Sequence, residues 1–182
     1  EQITAVIETL NAQLPKLVKT AEDFKMLTSN LQQDQVTAVI EGLNTQLPKL
    51  VKTAEDFKML TSNLQKEQVT AVIEGLNTQL PKLVKTAEDF KILTSNLQQD
   101  QVTAVIEGLN AQLPKLVKTA EDFNTVIYYL EPDEITTVCE TLKTQIPELI
   151  KTTGDFLRLF SNLKLTQKTA VYESLRVHLP AL

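Results

Sequence analysis

The sequence returns to itself every 33 residues. Gln2, Gln35, Gln68, Gln101 and Gln167 fall in register, with Glu134 in the fifth copy. Pro15, Pro48, Pro81, Pro114, Pro147 and Pro180 do the same, as do Phe24, Phe57, Phe90, Phe123 and Phe156. The units 34–66 and 67–99 differ only at Asp34/Glu67, Met59/Ile92 and Lys66/Gln99. A period of this size specifies stacked supersecondary units. One unit is too small to bury its own apolar face, so its neighbours must complete a shared core. The chain divides into units 1–33, 34–66, 67–99, 100–132 and 133–165 and a half unit 166–182, read as one array. It opens at Glu1 in mid-pattern, as a piece of a longer array would.

Within the unit 34–66, Val36, Val39, Ile40, Leu43, Leu47, Leu50 and Val51 recur at steps of three and four. That spacing marks one face of an α-helix. It predicts a long helix over residues 33–52, bent at the Leu-Pro pair because Pro48 cannot donate to the carbonyl of Asn44. The stripe runs through the proline without a phase jump, which favours one kinked helix over two separate ones. Gly42 softens the same helix. A second, shorter run follows at Ala54, Phe57, Leu60 and Leu64. Thr53 reads as its N-cap, with Glu55 and Asp56 complementing the positive helix end. Asn63 reads as a left-handed C-terminal cap, with Leu64 packing back on the last turn. The expected fold is all-α: a right- or left-handed α-solenoid of two-helix repeats, with helix near three quarters of the chain and a kink at Pro15, Pro48, Pro81, Pro114 and Pro147. Repeated in every unit, that kink would set the curvature of the array.

Charge and composition narrow the function. The net charge is −5, and the unit 100–132 is the most negative. A nucleic-acid binder normally carries a basic stripe, so this balance disfavours nucleic acid as a partner. No apolar run is long enough for a transmembrane helix, and the start does not resemble a signal peptide. The single cysteine, Cys139, excludes an internal disulfide and suits a reducing compartment. It stands at the register of Ile40, Ile73 and Ile106 and reads as a core residue. The single histidine, His178, lies on another copy, so neither a Cys–His nucleophile nor a zinc site is indicated. No cofactor is expected. Acidic residues repeat as ladders, but a site repeated in every unit makes no single glycosidase-like pocket.

Repetition turns exposed residues into rows. Lys16/Lys49/Lys82/Lys115 and Lys19/Lys52/Lys85/Lys118/Lys151 flank the bent end. Asn11, Asn44, Asn77 and Asn110 form a neutral row that helix capping does not explain, and they are candidates for a concave binding surface. The departures from the repeat carry more information. Where three copies read "KMLTSN" or "KILTSN", the fourth reads Asn124-Thr125-Val126-Ile127-Tyr128-Tyr129 and the fifth Leu157-Arg158-Leu159-Phe160-Ser161-Asn162. Tyr128, Tyr129, Arg158 and Phe160 are the candidate partner-binding residues, since aromatic and arginine side chains are favoured as interface anchors.

The long helix with its Leu-Pro pair ("TAVIEGLNTQLPKL") and the short helix ending in "TSN" resemble the repeats of transcription activator-like effectors, bacterial proteins that read DNA one base per repeat. The likeness covers all five units. It implies the helical geometry of those repeats. It implies no base-reading residues, because Leu64, Gln65 and Lys66 stand where the family has a glycine-rich loop. Near-identical tandem helical repeats also resemble effectors of intracellular bacteria in a general way. The sequence therefore predicts a non-catalytic helical-repeat scaffold for a protein or peptide partner. The alternatives are a nucleic-acid-wrapping array like the effector repeats, and a structural spacer or idealised repeat without a ligand.

Overall fold

The computed structural model describes residues 13–76, 78–161 and 163–176. All regular structure among them is helical. Units two to five each contribute three kinds of helix. The long helices are α3 (Gln33–Leu43), α6 (Lys66–Leu76), α9 (Gln99–Leu109) and α12 (Pro132–Leu142). One-turn helices follow: α1 (Leu14–Leu17), α4 (Leu47–Leu50), α7 (Leu80–Leu83), α10 (Leu113–Leu116) and α13 (Ile146–Leu149). The capped helices are α2 (Ala21–Thr28), α5 (Ala54–Thr61), α8 (Ala87–Thr94), α11 (Ala120–Ile127) and α14 (Thr153–Ser161), and α15 (Leu165–Arg176) ends the described chain.

The bend at the Leu-Pro pair is a break in the helix, not the kink within one helix that the apolar stripe suggested. The long helix ends at Leu43, Asn44–Gln46 form a 3₁₀ turn, and the helix restarts at Leu47 with Pro48 as its second residue. A proline there has no intrahelical acceptor to lose. Stopping ahead of Pro48 also removes the clash between its ring and the carbonyl of Asn44. Three residues of 3₁₀ helix make about one full rotation. Leu43 and Leu47 flank this turn, and both are fully buried. The apolar stripe therefore continues across the break. Val51 then takes extended backbone and ends the turn.

The capped helices start as the sequence indicates. Thr53 Oγ1 accepts from the backbone N–H of Asp56 at 3.1 Å, and Asp56 Oδ2 accepts from the N–H groups of Thr53 and Lys52, both at 3.0 Å. The same box recurs at Thr20/Asp23, Thr86/Asp89, Thr119/Asp122 and Thr152/Asp155. The backbone N–H of Lys19, above all, holds the Asp23 carboxyl below the usual carboxylate range. At Asp155 the Thr152 hydroxyl is the main cause of the same shift. The C-terminal ends differ from expectation: among the described residues no non-glycine residue has a positive φ, so Asn63 is not a left-handed cap. Hydroxyls close the helix instead. Thr61 Oγ1 donates to Phe57 O at 2.9 Å and Ser62 Oγ to Met59 O at 2.9 Å, while the N–H of Leu64 reaches Thr61 O at 3.1 Å. The Ser62 hydroxyl and the Leu64 N–H satisfy carbonyls that the helix end would leave unpaired, while Thr61 back-bonds to a carbonyl of the preceding turn.

Like helices stack on like. The capped helices pack in the order α2, α5, α8, α11, α14. The long helices pack α3, α6, α9, α12, with α15 against α12. Each one-turn helix rests on the long helix of the next unit. The buried side chains join into one core from Leu14 to Val171, with Phe24, Phe57, Phe90 and Phe123 fully enclosed.

The glutamine row links the long helices. Gln68 Oε1 accepts from the N–H of Gln65, capping its own helix, while Gln68 Nε2 donates to Gln33 O at 2.8 Å in the preceding unit. Gln101 repeats this with Lys66 O, and Gln167 with Pro132 O. Glu134 is the exception. It still caps Glu131 at 2.8 Å but has no N–H to give to the carbonyl of Gln99, and instead accepts from Thr103 Oγ1 at 3.1 Å.

Two predictions follow from these contacts. Glu134→Gln should restore the missing bridge and gain about 0.5–1.5 kcal/mol, whereas Gln101→Ala should lose about 1–3 kcal/mol by orphaning buried groups; both are read as shifts of the urea midpoint. Replacing Pro15, Pro48, Pro81, Pro114 and Pro147 together by alanine should fuse long and one-turn helices. Helicity by circular dichroism should rise and the radius of gyration by small-angle scattering should change. If both stay put, side-chain packing holds the break, not the proline ring.

Candidate functional site

The fourth and fifth units meet through contacts that, among the described residues, the other junctions do not make. Arg158 Nη1 lies 3.0 Å from Glu121 Oε2, and Asn124 Nδ2 donates to the carbonyl of Arg158 at 2.6 Å. Gln145 Nε2 reaches from unit five to the carbonyls of Pro114 and Val117. Asn124 stands at the register of Lys25, Lys58 and Lys91, and Arg158 at that of Met26, Met59 and Ile92. A short amide in place of a lysine brings unit four within hydrogen-bond reach of the α14 backbone.

Above this junction opens a cleft lined by Lys91, Glu121, Asn124, Thr125, Tyr128 and Arg158. Three successive capped helices, α8, α11 and α14, supply it. Tyr128 is 63% exposed, and its ring meets that of Tyr129 edge to face, centroids 4.7 Å apart. Lys91 Nζ sits 5.4 Å from the centre of the Tyr128 ring, a cation–π distance. Tyr128 also lines a second groove with Leu130, Pro132, Ile135, Lys164 and Gln167, so it stands on the ridge between two depressions. Asn124 Oδ1 is buried and, among the described residues, has no hydrogen-bond partner.

The structure thus brings together Tyr128, Tyr129 and Arg158. Phe160 lies apart. It is half-buried against the core, and its ring packs on Phe156 with centroids 4.6 Å apart. Asn44 and Asn110 are elsewhere again, exposed at the ends of long helices. Asn110 Oδ1 accepts from Thr141 Oγ1 of the next unit at 2.6 Å. A Cβ at Gly75, which stands at the register of Thr141, would lie 2.7 Å from Asn44 Oδ1. Asn44 and Asn110 are therefore unit-to-unit contacts, and the close approach of Asn44 explains the glycine at 75. Asn77 lies outside the described residues. Comparison with the repeat could have singled out Asn124, but Lys91 and Glu121 match their register and give no sequence signal.

The lysine rows are exposed throughout, and Lys19, Lys49 and Lys52 share one groove with Pro15 and Pro48. Among the described residues no three His, Cys, Asp or Glu side chains converge as metal ligands, and no helix is long and apolar enough to cross a membrane. Cys139 is buried, as expected of a core residue. Burial, and secondarily Glu140, pushes its thiol up to about 12.

No protein-family model matches the chain, and no curated protein matches it. A thiol this buried should stay protonated and shielded. In native buffer Cys139 should not react with a chromogenic disulfide reagent, and full reactivity should appear only with urea unfolding. Rapid native labelling would place the thiol at the surface.

Proposed function

We propose that this chain is a non-catalytic helical-repeat scaffold that engages a protein or peptide partner at the cleft between units four and five. The observation that carries the reading is the convergence of exposed Tyr128 with Lys91, Arg158 and the unpaired oxygen of Asn124, with exposed Tyr129 packed edge to face on Tyr128. Tyrosine and arginine give large contact area with hydrogen-bonding capacity, and a buried acceptor without a partner gains by meeting a donor. The cleft occurs where the units stop agreeing, so it provides one docking point on an otherwise repetitive surface.

A second reading, a nucleic-acid-wrapping array like the effector repeats, has the two exposed lysine rows in its favour. They could follow a phosphate backbone although the net charge is −5. Two measurements separate these readings from each other and from an inert spacer. Affinity capture from cell extract by the wild-type chain and by Tyr128→Ala/Tyr129→Ala should show a partner depleted about tenfold or more in the variant. Identical capture by both proteins would sink the cleft as the docking point. Retardation of DNA in a gel that vanishes between about 50 and 200 mM salt would support the lysine rows instead.

A further inference from the structure

Lysine stands at two fixed positions of units one to four, and the structure keeps both at the surface. Lys49 lies in the last turn of α4, and Lys52 stands just beyond its end. Lys82 and Lys85 repeat this at α7, and Lys115 and Lys118 at α10. All six are exposed and lie inside the array, with described helices before and after them.

These six ammonium groups have no carboxylate of their own. Among the described residues the ion pairs are made by Lys66, Lys91, Lys143 and Arg158 instead. The aspartates that follow in sequence are occupied as helix caps. Asp56, Asp89 and Asp122 accept from the backbone N–H groups of Lys52, Lys85 and Lys118. Glu88 and Glu121 pair with Lys91 and Arg158 on the capped helices. The two lysine rows also meet across a groove between units. Lys19 from unit one and Lys49 and Lys52 from unit two line it, with Pro15, Pro48 and the buried Leu50. Unit five ends the pattern, because Glu148 stands at the register of Lys49, Lys82 and Lys115.

The spacing selects the occupant. Packed helices lie about 8–10 Å apart, so one lysine pair recurs at about that interval along the stack. A polyproline II peptide advances about 9.3 Å in each turn of three residues and returns to the same side. An acidic residue at every third position of such a peptide meets one lysine pair per unit. Nucleic acid fits less well. The groove holds no aromatic side chain on which a single strand could stack. The phosphates of a duplex wind once round its axis in about 10 base pairs, so few of them face one row of lysines.

We propose that the lysine rows of units one to four bind an extended, proline-rich acidic peptide with a carboxylate at every third residue. The Tyr128–Arg158 cleft takes no part, so this inference and the docking point proposed above can fail separately.

The test is fluorescence anisotropy of a labelled peptide of four Glu-Pro-Pro triplets, titrated with the full chain. Saturable binding should appear below about 1 mM protein at low salt. It should weaken about tenfold or more between about 20 and 200 mM salt. A peptide of the same composition with its glutamates in one block should bind about tenfold more weakly. Lys49→Glu/Lys82→Glu/Lys115→Glu installs the residue that unit five carries at this register and should abolish binding. Circular dichroism checks that this variant folds; if it does not, Lys49→Gln/Lys82→Gln/Lys115→Gln takes its place and should weaken binding about tenfold. Tyr128→Ala/Tyr129→Ala should bind the peptide as the wild-type chain does. Absence of saturable binding to the wild-type chain overturns the proposal, as does equal affinity for the two peptides or undiminished binding by the lysine variants. Loss of binding in the tyrosine variant overturns it by placing the peptide in the cleft. Tighter binding of a single-stranded or duplex DNA oligonucleotide overturns it by assigning the rows to nucleic acid.

Discussion

The structure depends on one recurrent contact, the burial of a capped helix of one unit against the next. Phe24, Phe57, Phe90 and Phe123 are fully enclosed, and none of them is enclosed by its own unit alone. Phe156, at the same register on α14, is 41% exposed and packs on Phe160 of its own helix. Removing one enclosed phenylalanine from such a core costs about 3–5 kcal/mol. Stability therefore resides in the interfaces between units as much as in the units. This is the nearest-neighbour behaviour of a repeat array.

Polar contacts fix the register of that stacking. An apolar face alone tolerates sliding, whereas a glutamine amide that must reach a particular carbonyl does not. Gln68 and Gln101 each satisfy their own helix start with the oxygen and the preceding helix with the nitrogen, so one side chain ties two elements. The Glu134 carboxylate keeps only the first function. At that junction Gln145, Thr141 and Arg158 add bonds not seen among the described residues of the other junctions. The departures from the repeat are thus partly structural compensation, and they also leave tyrosine rings exposed at the same place.

Much of this was legible in the sequence. The period gave the array, the three-and-four spacing gave helices, and threonine followed by two acids marked each capped start. The form of the bend at Pro48 was not legible, because Leu43 and Leu47 are buried on both sides of the break, as they would be in a kinked helix. Asn63 was misread as a left-handed cap, because Thr61 and Ser62 hydroxyls satisfy the helix end first. The candidate cleft was half legible. Tyr128, Tyr129 and Arg158 stood out as exceptions to the pattern. Lys91 and Glu121 did not, since they obey it, and Phe160 stood out equally but packs on Phe156 and the core instead.

The sequence by itself determined that the chain is helical, repetitive and built on a shared core, because local propensity and apolar periodicity are properties of neighbouring residues. Only the tertiary structure decided which exposed residues share a surface. It placed Asn44 against Gly75 and Asn110 against Thr141 of the next unit, and gathered a cleft from three helices. Those outcomes are set by contacts between residues about 33 positions apart, and a one-dimensional pattern does not encode which of two helix faces a neighbour will cover.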